Sequence, residues 1–459
     1  MLPARPGASS RRALSPRLAR LVSPRPFAAL TLCLAALAAI SGCGKGTGAG
    51  TAVTGGQSGG VPATKVGIVG VSTKNTTRLG GAEPADDAAA VAQAVYPGFT
   101  PATRPQAAVI VDEANWPAAL AASVLAGSPL GAPLLYADGD QLPAASERAL
   151  TAMRPFGAST LGGAQAIEIG TSAPLPAGYK ARSLAAAGGS GGGTGAAKPG
   201  GAQGGEPGAG ASGEQAASAA VEVMDLLKEA GGHAPHNVLV VASDAPQALQ
   251  MPAGALAAES GAPILFVTSS GVPQATRQAL KALKHPAIYV IAPTTLHSGP
   301  YATLARLGTV VHVTGEAGPG EATAHASNDP IENSISISRF SQGSFGWGIH
   351  EAGHGLVFAN VARPLDAPAA APLSAHGDYG PLLLLSHSAS VPAPLTHYLS
   401  DIEPGYTQAI PPVREVYNHG WLIGDESAIS ALAQAELDAV LEIAPRQPTD
   451  AEQSVAEAE

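Results

Sequence analysis

Short apolar runs alternate along this chain with Ala- and Leu-rich stretches of helical character, and the alternation recurs three times. In the first copy the pattern predicts a helix over 85–95, a strand over 107–111, a helix over 117–126, a strand over 134–137, a helix over 144–153 and a short strand over 159–162 running into a Gly turn. The second copy predicts a helix over 219–230, a strand over 238–242, a helix over 247–259, a strand over 264–268, a helix over 274–283 and a strand over 288–291. In the third, strands are expected over 356–358, 382–385 and 421–423. The run at 134–137 is apolar throughout, as in a strand covered on both faces. Alternating strands and helices imply parallel pairing through right-handed crossovers.

Prolines keep the register of the three copies. They fall at Pro117, Pro133 and Pro143; at Pro246, Pro263 and Pro273; and at Pro364, Pro381 and Pro392. The spacings are 16 and 10, 17 and 10, and 17 and 11. Three such registers indicate tandem repetition, and arrays of one unit bind more often than they catalyse. The fold class expected is α/β: three tandem Rossmann-like βα repeat units with parallel sheets, compatible with a pseudo-threefold assembly. The third copy carries an insertion, since Pro392 and Ile423 stand 31 apart where Pro143 and Leu161, or Pro273 and Ile291, stand 18 apart.

The ends and joints differ in composition from the copies. Residues 1–42 hold six Arg and no acid, and 27–40 form an apolar run of 14 residues. A basic segment followed by such a run is a secretory signal. It is shorter than the about 20 residues of a spanning helix. Ser10-Arg11-Arg12 is a faint twin-arginine signature. Ile40-Ser41-Gly42-Cys43 resembles the bacterial lipobox, which implies a diacylated Cys43 and lasting attachment to a membrane. The other cysteine, Cys33, lies in the apolar run and leaves with it, so the mature chain has no disulfide and relies on its apolar core. The expected organisation is a lipoprotein signal peptide over 1–42, a flexible tether over 43–60, repeat unit one over 61–184 and a low-complexity linker over 185–217. Repeat unit two over 218–325, repeat unit three over 326–445 and a polar tail over 446–459 complete it.

Charge narrows the partners. The formal charge of the whole chain is −10; without the signal, 19 basic face 35 acidic side chains, a balance of −16. Phosphate neutralisation needs a basic face, so nucleic acid is not an expected partner.

Thr77-Arg78-Leu79-Gly80-Gly81 before an Ala-rich helix, the aliphatic strands Ala132-Pro133-Leu134-Leu135, Ala262-Pro263-Ile264-Leu265 and Gly380-Pro381-Leu382-Leu383, and Leu161-Gly162-Gly163 resemble the cell wall-binding repeat family. The resemblance covers most of residues 64–445. It implies a Gram-positive surface protein whose three repeats pack around a pseudo-threefold axis and anchor non-covalently to an anionic wall polymer. It also implies a non-catalytic envelope protein that needs no cofactor. Its partners would be a cell-wall polymer or glycan, the membrane through the lipid anchor, and other copies by self-association. The chain departs from the family pattern where the helix start Asp-Ala-Leu reads Ala118-Ala119-Leu120 and Gln247-Ala248-Leu249. A balance of −16 opposes an anionic polymer, so adhesion requires local basic patches or bridging divalent cations, neither of which is visible in the sequence.

Candidate polymer-contacting residues are Arg78, Trp116, Pro133, Leu134, Leu135, Pro263, Ile264, Leu265, Pro381, Leu382 and Leu383. Trp116 stands at a helix entrance where its ring could stack on a sugar. For Arg78 the preferred alternative is a pairing with a carboxylate inside the unit, and for the Pro-led strands it is a place in the core. Trp347 and Trp421 read as structural. The competing chemistry is His350-Glu351-Ala352-Gly353-His354, which fits the H-E-x-x-H pattern of zinc hydrolases. That chemistry needs both imidazoles on one helical face with Glu as general base. Gly348, Gly353 and Gly355 oppose a helix there, and the register leads the segment into a strand, so a loop is expected. A structural surface lipoprotein without polymer affinity is the third reading. Gly44-Lys45-Gly46-Thr47 lacks the spacing of a phosphate loop.

Overall fold

Among the described residues, parallel pairing builds three larger sheets with one strand order and a two-stranded one from Gly405–Tyr406 and Ala444–Pro445. The computed structural model describes residues 71–184, 209–314, 327–376, 379–407, 412 and 416–446. All belong to one compact unit, 64–459. The signal, Cys43, the tether, Gly44-Lys45-Gly46-Thr47, most of the 185–217 linker and all but the first residue of the 446–459 tail lie outside the described residues.

In lobe one, Ala108–Asp112 is central, with Leu134–Ala137 on one side and Ala166–Ile169 on the other, and Ala181–Leu184 at the edge beyond. In lobe two the same places are held by Asn237–Ala242, Ile264–Val267, Ala287–Val290 and Thr309–His312. Lobe three uses Gly355–Asn360, Leu382–Leu385 and His419–Ile423. Its edge strand is Thr76–Leu79, which comes from the start of the described chain and runs parallel to His419–Ile423. Residues expected to open unit one therefore complete the sheet of unit three. A short strand, Val71–Ser72, closes that edge antiparallel.

The matched prolines occupy equivalent places. The carbonyls of Pro133, Pro263 and Pro381 accept from the N–H groups of Val109, Leu239 and Val357 on the three central strands, at 2.9, 2.9 and 3.1 Å. A proline suits the start of a strand because it has no N–H to leave unpaired. Pro143, Pro273 and Pro392 each precede a helix: Ala144–Met153, Gln274–Ala282 and Ala393–Asp401. Their carbonyls accept the first i to i−4 hydrogen bond of each helix, from the N–H groups of Glu147, Arg277 and Thr396.

Helices fill the space between the sheets. The helix after each central strand is nearly all Ala, Pro, Gly and Leu: Trp116–Ala122 with the 3-10 turn Ser123–Ala126, Pro252–Ser260, and Asp366–Ala375. All three pack on one another. Ala126, Ala258 and Ala371, one from each, form a small cluster with Ala375 at their edge. A helix apolar on every side is a buried helix, and small side chains let the backbones close up. A Cβ on Gly127 would stand 2.3 Å from the carbonyl oxygen of Ala258. Another helix precedes each central strand: Pro84–Val95, Ala209–Gly231 and Pro330–Arg339. Each packs on the second strand of its own sheet and on a helix following the central strand of the preceding lobe, lobe one taking lobe three as its predecessor. The arrangement is closed.

Three expectations are corrected. Residues 159–162 are a 3-10 turn, not a strand: Gly162 and Gly163 have φ of +68° and +80°, and the strand follows at Ala166–Ile169. The helix Ala209–Gly231 begins inside the expected linker, where Ala and Glu interleave with Gly. The helix expected over 247–259 is two, Gln247–Gln250 and Pro252–Ser260, because Pro252 starts a new first turn.

Candidate functional site

The sequence candidates are inside the fold. Leu134, Leu135, Ile264, Leu265, Leu382 and Leu383 are at most 1% exposed, and Pro133, Pro263 and Pro381 are buried with them. They form the floors of three separate sheets and are not brought together. Trp116 is buried between lobes one and two, where its indole N–H donates to Oε1 of Gln250 at 3.2 Å. Arg78, also buried, spends its guanidinium on the chain's own carboxyl-terminal part: the carbonyls of Gly424, Asp425 and Ile429 and Oε1 of Gln434. Its partners are carbonyls and an amide rather than a carboxylate. A polymer at the surface reaches none of these side chains.

The segment from His350 to His354 is a loop, with Gly353 at φ +110°. The N–H groups of Gly353 and His354 both donate to Oδ1 of Asn418, and the His354 carbonyl accepts from His419 as the sheet begins. The helical geometry of a zinc hydrolase is not formed. Burial holds the His354 imidazole below its usual pKa, with Glu351 opposing. Among the described residues no group of three His, Cys, Asp or Glu side chains is placed to hold a metal ion.

Charge is distributed by sheet end. Acids gather at the carboxyl ends of the strands. In lobe one, Asp112 accepts from the N–H of Ala114 and Asp140 from the Ser172 hydroxyl, while burial and the neighbours Asp138, Asp112 and Glu83 push the Glu113 carboxyl up. In lobe two, Asp244 accepts from the N–H and the hydroxyl of Ser269, both at 2.7 Å. In lobe three, Asp425 accepts from the N–H and hydroxyl of Ser427; burial pushes its carboxyl up, but these bonds together with the Ala428 N–H and the Arg363 charge outweigh it and hold the carboxyl low. These carboxylates stabilise their own loops and repel anions.

The amino ends of the strands carry Arg and Lys without acids in lobe one, and Lys, Arg and His together with Glu229 and Glu259 in lobe two. Arg104 precedes the central strand of lobe one, Arg154 follows the helix Ala144–Met153, and Lys180 adjoins the edge strand. His233, His236, Lys281, Lys284, His285 and Arg306 occupy the corresponding turns of lobe two, all exposed. Helix carboxyl ends lie here too, where cations offset the partial charge of the last carbonyls. Arg104 Nε donates to the Arg154 carbonyl, and Arg154 Nη2 to the Gly98 carbonyl. The guanidinium carbon of Arg104 sits 4.1 Å from the centre of the Phe156 ring. Sequence reasoning missed this surface because its residues are far apart in the chain; the Arg-Pro pairs at Arg104-Pro105 and Arg154-Pro155, each just outside an element of lobe one, were the available signal.

A shallow cleft lies between Ala181–Leu184 and Ala209–Gly231, lined by Arg182, Glu222, Asp225 and Glu229. Arg182 is paired there with Glu229 at 3.2 Å, and the balance is acidic.

The fold is similar to that of two solved structures. Cwp6 from Clostridium difficile matches with a TM-score of 0.54 and 16% sequence identity over 84% of this chain and 53% of that one. Cwp8 from Clostridium difficile matches with a TM-score of 0.51 and 16% identity over 80% of this chain and 51% of that one. The chain thus spans about half the length of either. No protein-family model matches the sequence, nor does any curated protein.

Proposed function

We propose that this chain is a non-catalytic envelope protein, held to a membrane by acylated Cys43, whose three α/β lobes adhere to an acidic cell-wall polymer. The three lobes are read as copies of one unit. The observation that carries the reading is the basic surface at the strand amino ends of lobe one, Arg104, Arg154 and Lys180 with no acid among the turns that carry them, extended in lobe two by Lys281, Lys284 and Arg306; it supplies the local basic patch that a balance of −16 otherwise denies. The motif resemblance and the shared fold with Cwp6 and Cwp8 support the same assignment. Adhesion through this face is electrostatic, so it weakens with salt but persists near physiological ionic strength if several cations engage together. Co-sedimentation with purified cell walls tests the proposal. Retention at 0.15 M salt is expected. Complete release under that condition would count against it, and would leave a surface lipoprotein without polymer affinity.

A further inference from the structure

Phe99 and Phe156 are large apolar side chains that the fold leaves in solvent, 84% and 46% exposed, in a chain that has only seven Phe. Both flank the Arg104–Arg154 pair. Phe99 follows Gly98, whose carbonyl holds Arg154, and Phe156 lies under Arg104. The backbone that presents them is fixed. The Phe156 N–H donates to the Pro105 carbonyl, the Gly157 N–H to the Gln106 carbonyl, and Gly98 turns at φ +69° against the end of Ala144–Met153. A Thr100–Thr103 capping box closes the loop between them. Thus two rings and two guanidinium groups are held on neighbouring loops; Gln165 ties a third loop to them, its amide donating to the Pro155 carbonyl and accepting from the Lys180 N–H, and the Tyr179 hydroxyl donates to the Leu150 carbonyl. Among the described residues, Nη1 and Nη2 of Arg104 have no protein acceptor.

We propose that Phe99, Arg104, Arg154 and Phe156 form a platform for an acidic polysaccharide, the rings stacking on the apolar C–H face of a pyranose and the guanidinium groups pairing with its carboxylate or phosphate. The proposal rests on the wall-adhesion reading and narrows it to a ligand with sugar rings. Stacking an aromatic face needs a flat apolar partner, which a polyol phosphate chain does not offer. An Arg lying on a ring keeps its edge free for bidentate contact with an oxyanion. The acids of lobe one gather mostly at the opposite strand ends, so the platform is the part of this lobe that an anion can approach.

The test uses the whole chain, its F99A/F156A double variant, and three probes: polygalacturonate, polyglycerol phosphate and uncharged dextran. Unchanged circular dichroism and melting would show the variant folded, as its exposed positions lead one to expect. The platform predicts that polygalacturonate binds the parent chain, that the double variant binds it at least about tenfold more weakly, and that R104Q weakens it as well. Polyglycerol phosphate should bind less tightly and be insensitive to the Phe changes. Equal binding of polygalacturonate by parent and double variant overturns the platform, as does tight binding of polyglycerol phosphate alone. A dimer of the parent chain that the double variant abolishes would also overturn it, by making this face a self-contact. Wall sedimentation run in parallel separates the two proposals: parent and double variant retained alike sinks the platform only, whereas a parent chain not retained sinks the wall reading.

Discussion

Arg78 on the edge strand Thr76–Leu79 of lobe three and Gln434 on its last helix, 356 residues apart in sequence, are joined by two hydrogen bonds to one amide oxygen. Three carbonyls of the turn between His419–Ile423 and Ala431–Val440 take the remaining donors. The guanidinium is buried, and desolvation lowers its pKa while Glu426 and Asp425 oppose that shift. The edge strand of lobe three is therefore held to the rest of its lobe by a fork of donors that a point charge cannot reproduce. Replacing Arg78 by Lys leaves several buried carbonyls without donors and should cost about 2–4 kcal/mol. Urea unfolding measures it; a loss below the error of the extrapolation would show that the chain ends are held by other contacts.

A second closure brings two carboxylates together. Asp87 and Asp366 are fully buried and share Arg363, whose Nε lies 3.0 Å from Asp366 and whose Nη2 bonds Asp87. The Gly81 N–H also donates to Asp87. Burial is the largest cause holding both carboxyls above the usual range, Asp366 the more strongly because Asp87 adds to it; Arg363 pulls the other way. Asp366 Oδ1 is buried without a hydrogen-bond partner, which disfavours a negative charge on it. Tyr136, whose hydroxyl donates to the Leu365 carbonyl, and Glu113 face the same site from lobe one. The folded chain therefore binds a carboxyl proton here more tightly than the unfolded chain. Its contribution to stability falls as pH rises from about 4, the unfolded carboxylate range, through the raised value, and is constant above it. D366N fixes the neutral form. Melting temperatures taken from pH 4.5 to 8.5 should decline less in D366N than in the parent chain; parallel curves would refute the shared proton.

The packing of the central helices makes a sharper demand. A methyl group at Gly127 meets backbone of the helix Pro252–Ser260, which cannot swing aside as a side chain could. G127A should lose about 1–3 kcal/mol. Gly299, in the helix Ser298–Leu304, has its nearest neighbour at 4.0 Å, so G299A should be neutral or slightly stabilising. Equal effects of the two changes would mean that the helices are not in close contact.

The His350–His354 loop is the place where an enzymatic alternative can be tested cheaply. Elemental analysis of the purified chain should find no stoichiometric zinc, and H354A should leave the metal content unchanged. One zinc per chain, lost in H354A, would revive a metallohydrolase.

Much of the fold could be read from apolar runs bounded by prolines. The strands Leu134–Ala137 and Leu382–Leu385 and the helix Ala144–Met153 match their expected bounds, because a Pro fixes the start and continuous burial fixes the type. The exchange of Thr76–Leu79 into lobe three was not legible: TTRL is short and polar, and only its pairing with a strand more than 300 residues away makes it a strand. The strand of lobe one expected at 159–162 lies at Ala166–Ile169, because Leu161-Gly162-Gly163 resembles a strand end in sequence while both glycines turn at positive φ. The cationic face was hidden for a different reason. Arg104, Arg154 and Lys180 belong to three loops, and net charge sums over acids that the fold sends to the other end of the sheet.

The most direct test compares retention on two preparations of the same walls, one intact and one stripped of its acidic secondary polymer while the peptidoglycan is kept. Adhesion through the basic strand ends predicts that protein sediments with intact walls and stays in solution with stripped ones. Equal retention on both, or on neither, would contradict it.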